Sequence, residues 1–286
     1  MRFVPKFHSS RINHYALLSI IMILLFLQTN AQERLIIVGG GKRPEPAMAK
    51  FVEWAGKERA HILIIPWATS EPQASFEYLK KDLVGFNPKA IELAPIAPIT
   101  EEKKSKFLNQ LKNATGVFFT GGDQVKIMAV LKDESLLRTL KHSYSNGTVF
   151  GGTSAGAAIM SSQMITGEGD FTVIDGKKVQ TSLGLGLLPD DVIVDQHFIK
   201  RQRENRLFGL ILQNREKLGI GIDENTALVL TDNRYGEVVG KSQIMMVAAQ
   251  KNNGTLIIHL FQPGQRLDLR KRALSKKSGK KNFEIK

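Results

Sequence analysis

The 286-residue chain contains no cysteine. That excludes a disulfide scaffold, a cysteine-built zinc site, a thiol nucleophile and lipid attachment at an N-terminal cysteine. It does not assign a compartment, because a core of this size stands without disulfides. Long apolar runs are missing too. The longest, Ala16–Leu27, has 12 residues, where a bilayer-spanning helix needs about 20. No GxxxxGK[ST] occurs, so there is no phosphate loop of that type. Gly39-Gly40-Gly41-Lys42-Arg43-Pro44 has proline where a dinucleotide fingerprint requires glycine. None of the six histidines stands in HExxH-type spacing with a second ligand, so no catalytic metal or other cofactor is expected.

Acid is scarce at both ends. Residues 1–31 hold Arg2, Lys6 and Arg11 without a single Asp or Glu, and residues 266–286 hold nine Lys or Arg against Asp268 and Glu284. These segments carry +3 and +7 of the +13 formal net charge, which leaves +3 for the body. A basic face for nucleic acid is therefore not needed to explain the charge.

The charged start, the short apolar run and the small-residue exit Thr29-Asn30-Ala31 are the three parts of a secretory signal. The sequence thus predicts a signal peptide over 1–31, a mature chain from Gln32, and a periplasmic or secreted protein with no membrane span after cleavage. It predicts one catalytic domain over 32–265. From Arg266 the rising basic density reads as a solvated tail, 266–286.

Within the body, short apolar runs stop at turn-forming residues: Arg34–Val38, His61–Ile65, Gly116–Phe119 and Thr148–Phe150 at glycine, proline or Thr120-Gly121-Gly122, and Gly219–Ile222 at Asp223-Glu224. Such runs read as strands buried on both faces. Helix-like stretches lie between them (Ala47–Lys57, Ser75–Lys81, Glu101–Leu111, Val125–Leu131, Glu134–Ser143, Arg203–Lys217). The alternation predicts an α/β fold with a parallel sheet flanked by helices. Later runs, around an Asn252-Asn253-Gly254 turn, predict antiparallel hairpins near the C-terminus.

In such a sheet, ligands meet the carboxyl ends of the strands. At one of these ends, Gly152-Thr153-Ser154-Ala155-Gly156 fits G-x-S-x-G between a strand and a helix-compatible Ala157-Ala158-Ile159-Met160. A sharp turn there lifts Ser154 clear of the strand, and the Ala155 N–H is placed to meet a developing oxyanion. A serine nucleophile needs a base, and the base needs an orienting group. His197 follows Val192-Ile193-Val194 in polar company, whereas His61, His142 and His259 sit in blander surroundings. Glu224 ends the next strand and is the natural orienter, with Asp223 as competitor. The order Ser…His…Glu differs from the Ser…Asp/Glu…His of lipases and esterases.

These segments carry a resemblance. FFTGGDQ (Phe118–Gln124), GGTSAGA (Gly151–Ala157), GLGLLP (Gly184–Pro189), DQHFIKRQRENRL (Asp195–Leu207) and GIGIDENTAL (Gly219–Leu228) resemble the cyanophycinases, in the serine peptidase family that also holds peptidase E. The likeness spans about Leu35 to Phe261. It implies a flavodoxin-like fold akin to class I glutamine amidotransferases. It implies Ser154 as nucleophile, His197 as base, Glu224 as its partner, and an oxyanion hole from Gly122 and Ala155. It also implies a substrate pocket of Gln124, Asp195, Gln196, Arg201, Arg203 and Arg206. The arginines would suit substrate carboxylates and Asp195 a substrate guanidinium. The implied activity is hydrolysis of cyanophycin, an aspartate polymer with arginine on each β-carboxylate, to β-aspartyl-arginine, by a homodimer. The alternatives are an aspartyl or isoaspartyl dipeptidase and a non-catalytic peptide-binding protein. A glutamine amidotransferase would need the cysteine that is missing.

Overall fold

The computed structural model describes residues 31–250 and 254–275. The signal segment expected over 1–31 lies outside the described residues but for its last, as do residues 276–286. No helix among the described residues is long and apolar enough to cross a membrane.

The chain opens on β1 (Arg34–Val38), α1 (Glu45–Trp54), β2 (His61–Ile65), α2 (Pro72–Leu83), β3 (Ala90–Leu93), α3 (Glu101–Asn113), β4 (Gly116–Phe119), α4 (Gln124–Val130), α5 (Glu134–Ser145) and β5 (Val149–Thr153). Strands β1, β5, β4, β2 and β3 lie side by side in that order, all parallel. Side chains alternate across them. Leu35, Ile37, Leu63 and Phe119 face one core with Phe107 of α3 and Leu136 and Leu140 of α5. Ile36, Val38, Ile64 and Phe118 face the other with Phe51 of α1 and Leu79 of α2. The expected α/β class with helices on both faces is what forms.

After β5 come a one-turn helix α6 (Ala155–Ala158), β6 (Gln163–Gly169), β7 (Val179–Leu183), β8 (Val192–Gln196), α7 (Glu204–Gln213) and β9 (Leu218–Ile222). Then follow β10 (Thr226–Thr231), β11 (Tyr235–Gly240), β12 (Ile244–Ala249), β13 (Leu256–Phe261), β14 (Arg266–Asp268) and β15 (Ala273–Leu274). The antiparallel strands are present as expected but serve two sheets. β10, β11, β14 and β15 widen the large sheet to nine strands beside β1. β12 and β13 join β9 and β8 in a separate four-stranded sheet. Ile220, Ile222, Ile244 and Met246 of that sheet pack into the same core as Leu35 and Phe119. Its other face covers Leu207, Leu210 and Ile211 of α7.

Two expectations are corrected. Gly219–Ile222 does not extend the main parallel sheet. Every residue of β9 is buried, and a run buried on both faces carries no mark of which sheet it joins. Nor does a solvated tail begin at Arg266. β14 pairs with β11, Leu267 and Leu269 are buried, and Asp268 is 1% exposed. The Asp268 carboxylate accepts from Arg234 Nε and Nη2 at 2.9–3.1 Å and from the N–H groups of Arg270 and Lys271. Arg266, Arg270 and Lys271 around it are exposed, which is what the composition registered. β3 and the β6–β7 ribbon were not expected. β3 is a four-residue edge strand with little burial, and the ribbon is largely polar.

Candidate active site

The carboxyl ends of β1, β4 and β5 in the large sheet meet those of β8 and β9 in the small one. Four loops from these ends interlock. The Ser154 N–H donates to the Val38 carbonyl at 3.0 Å, the His197 N–H to the Gly39 carbonyl at 2.6 Å, and the Asn225 N–H to the Gly40 carbonyl at 2.8 Å.

Ser154 sits between β5 and α6 at φ 54°, ψ −112°, outside the wells open to a residue with a Cβ. The surroundings impose that geometry. A Cβ on residue 152 would stand 2.1 Å from the Gly156 carbonyl oxygen, and one on residue 156 would stand 2.3 Å from that of Phe119. Only glycine lets the bend close this tightly. The Gly156 N–H is taken by the Thr120 carbonyl, and those of Ala157 and Ala158 by the Ser154 carbonyl. The Ala155 N–H opens α6 and has no intrahelical acceptor. The Gly121-Gly122 turn lies against Ser154, with a Cβ on residue 121 falling 3.6 Å from its Oγ.

His197 Nε2 is 2.8 Å from Ser154 Oγ, and Nδ1 is 2.6 Å from Glu224 Oε1. The tautomer that satisfies both bonds carries its proton on Nδ1 and accepts from the serine hydroxyl at Nε2. Burial pushes the imidazole below its ordinary pKa, more than the Glu224 bond lifts it, and Arg201 and Arg203 add to the depression. The ring is therefore neutral at pH 7, as a base requires. Asp223, the competing orienter, is spent elsewhere: it accepts from the Lys200 N–H at 2.8 Å and the Ser242 hydroxyl at 2.6 Å.

The triple glycine after β1 is the cradle of this arrangement. A Cβ on residue 39 would meet the Ile222 and Asp223 carbonyl oxygens at 2.3 Å. One on residue 40 would enter the His197 ring, and one on residue 41 would stand 2.8 Å from Asn225 Oδ1. The sequence shows the motif; its purpose depends on loops far along the chain.

The six expected pocket residues separate. Arg201 is exposed and lines a cavity of about 310 Å³ that also holds Ser154 and His197. The others face inward. Asp195 and Arg206 are 1% and 2% exposed and form a two-pronged ion pair, Nε to Oδ2 at 2.7 Å and Nη2 to Oδ1. Both Asp195 oxygens are thus engaged inside the protein, Oδ1 also by the Gln196 N–H at 2.8 Å. Arg203 Nη1 donates to the backbone and side-chain oxygens of Gln196 at 2.8 and 2.7 Å, and burial beside Arg206 pushes its pKa down to about 10. Gln124 Nε2 donates to the Ile165 carbonyl at 2.8 Å. The Asp195–Arg206 and Gln196–Arg203 contacts tie the two sides of His197 together, whereas Gln124 is bound to β6. Sequence reasoning passed over Arg43, Tyr78 and Thr120, which line the cavity. Arg43 and Thr120 stood in segments that had been singled out, the glycine turn after β1 and Phe118–Gln124, whereas Tyr78 stood in none. Among the described residues no cluster of acids and histidines suits a metal.

A family model described as Peptidase family S51 matches residues 35–238. A cyanophycinase from Geminocystis herdmanii is 32% identical over 219 residues, 75% of this chain and 80% of that one. A cyanophycinase from Nostoc sp. is 33% identical over 216 residues, 74% and 72% of the two chains. Among solved structures, a peptidase from an acI-B1 actinobacterium superposes with a TM-score of 0.63 at 21% identity, over 85% of this chain and all of that one.

Proposed function

From the chain's membership of peptidase family S51, as a cyanophycinase-like serine peptidase, we propose that it hydrolyses cyanophycin to β-aspartyl-arginine through Ser154, His197 and Glu224. The observation that carries this reading is the unbroken chain of hydrogen bonds, Ser154 Oγ to His197 Nε2 at 2.8 Å and His197 Nδ1 to Glu224 Oε1 at 2.6 Å.

Ser154 Oγ attacks the carbonyl carbon of an aspartyl peptide bond while His197 Nε2 takes its proton. Glu224 holds the Nδ1 proton and stabilises the imidazolium. The N–H groups of Ala155 and Gly122 meet the oxyanion. Collapse of the intermediate expels the amine, which receives the proton from His197. Water, deprotonated by the same ring, then releases the acyl group. The order of charge, apolar run and small residues over 1–31 supports action outside the cytoplasm, on polymer released by other cells. The family resemblance adds a homodimer.

The test is to incubate residues 32–286 with insoluble cyanophycin beside Ser154→Ala and identify soluble products by mass spectrometry. β-Aspartyl-arginine from the parent alone is the expected result. Intact polymer with cleaved aspartyl dipeptides moves the activity to a dipeptidase, and binding without turnover of either moves it to a binding protein.

A further inference from the structure

Among the described residues, the cavity beside Ser154 is lined by two guanidinium groups, those of Arg43 and Arg201, and by no carboxylate, with Arg201 Nε 3.8 Å from Glu224 Oε1 behind it. Arg43 enters from the turn after β1, and its side chain is 5% exposed. It is held on several sides. Nε donates to the Asp82 carboxylate, Nη2 reaches the Tyr78 carbonyl at 3.5 Å, and the guanidinium stacks on the Tyr78 ring at 4.4 Å. A guanidinium carries more N–H groups than these contacts use. Thr120 lines the same cavity. Its backbone is fixed, with N–H to the Ile65 carbonyl and carbonyl to the Gly156 N–H, both at 3.2 Å. Its hydroxyl is fully buried without a hydrogen-bond partner among the described residues. Native structures leave few such groups unsatisfied, and each calls for a cause. A preset cation and a second cation in the cavity, with an unspent hydroxyl buried in its wall, suit an anionic oxygen ligand, and a planar carboxylate matches the guanidinium fork.

Resting on the reading of the substrate as an aspartyl-arginine peptide, we propose that Arg43 and Thr120 determine specificity by binding the free α-carboxylate of the substrate's arginine. Arg43 supplies the charge and direction, and Thr120 supplies a neutral donor. Asp82 and Tyr78 keep the guanidinium from turning away, so little ordering is left to the moment of binding.

The test uses β-aspartyl-arginine and its arginine carboxamide as probes, titrated calorimetrically into the Ser154→Ala protein. The acid should bind at least about tenfold more tightly than the amide, as for a charge-assisted hydrogen bond. Adding Arg43→Met or Thr120→Val should bring that ratio towards one, and in the active enzyme each change should raise KM more than it lowers kcat. Thr120→Val is nearly isosteric and removes an unpaired hydroxyl, so it folds at least as well as the parent and decides the matter if Arg43→Met does not fold. An acid preference that survives both changes, or its absence from the parent, overturns the subsite. If the active enzyme cleaves no aspartyl peptide while the acid preference is present and lost on Arg43→Met, the proposed reaction fails and the subsite stands.

Discussion

Gly40 and His197 are fitted to each other. A Cβ on residue 40 would lie 2.2 Å from Cε1 of the imidazole and 2.5 Å from Nε2, and residue 40 holds a φ of 119° that side chains rarely adopt. The bare backbone of one sheet is thus the wall against which the base from the other sheet rests.

Gly40→Ala should therefore act on His197 without replacing it. The ring must leave its place between Ser154 and Glu224. The expected loss is about 100-fold or more in kcat/KM, the range in which a displaced general base falls, with the far-ultraviolet circular dichroism unchanged. Full activity in this variant would mean that His197 does not work from the position described.

The pH dependence follows from the environment of the same ring. Burial lowers the His197 pKa from 6.5, and Glu224 opposes that shift. In the proposed mechanism the neutral ring is the active form, so kcat/KM should rise with pH through a midpoint below 6.5 and level off. Glu224→Gln removes the upward pull, so its midpoint should move lower still while the plateau drops by about 10,000-fold. The sign carries to stability. The folded state releases this proton more readily than the unfolded state, so the contribution is present above the ordinary histidine pKa and is lost as pH falls through the depressed one. A pH–rate profile of both proteins, with an acid limb that rises rather than falls on Glu224→Gln, would contradict this account.

The serine turn was legible because its requirements are local. Gly152 and Gly156 flank Ser154 within five residues, and the strand before and small residues after are contiguous with it. His197 and Glu224 were legible as polar residues at the ends of apolar runs. What hid was whatever depended on a distant partner. Asp195 and Arg206 look like a substrate-facing pair in a hydrophilic stretch, because a sequence does not show that their charges cancel inside the core. Arg43 was passed over after its glycine turn, because its partners Asp82 and Tyr78 come from α2. The triple glycine was rejected as a nucleotide loop for a sound reason, yet its true neighbours are His197, Ile222, Asp223 and Asn225.

The Asp195–Arg206 pair should behave as framework. Arg206→Met leaves a carboxylate unpaired at 1% exposure, which costs about 3–5 kcal/mol. The double change Asp195→Leu with Arg206→Met removes both charges and should recover much of that loss. Urea unfolding monitored by fluorescence measures both. A residue serving only to hold substrate would cost activity and leave the unfolding midpoint in place, so an unshifted midpoint for Arg206→Met would return it to the pocket.

The boundary at residue 265 is open to a direct test by truncation. A chain ending at Gln265 loses β14 and with it Leu267 and Leu269, both buried. It also strips Arg234 of the Asp268 carboxylate that it grips through two nitrogens. Two buried leucines alone are worth roughly 3–6 kcal/mol, and for a domain of this size each kcal/mol moves Tm by about 2–4 °C. The shortened chain should thus melt about ten degrees lower or fail to stay soluble, because β11 becomes an open edge. A chain ending at Ser275 retains β14 and β15 and should melt with the full-length protein. Equal melting of all three would mean that the last strands lie on the sheet without holding it. A drop confined to the shorter truncation would make the basic segment two things, a structural strand pair up to residue 275 and a dispensable end after it.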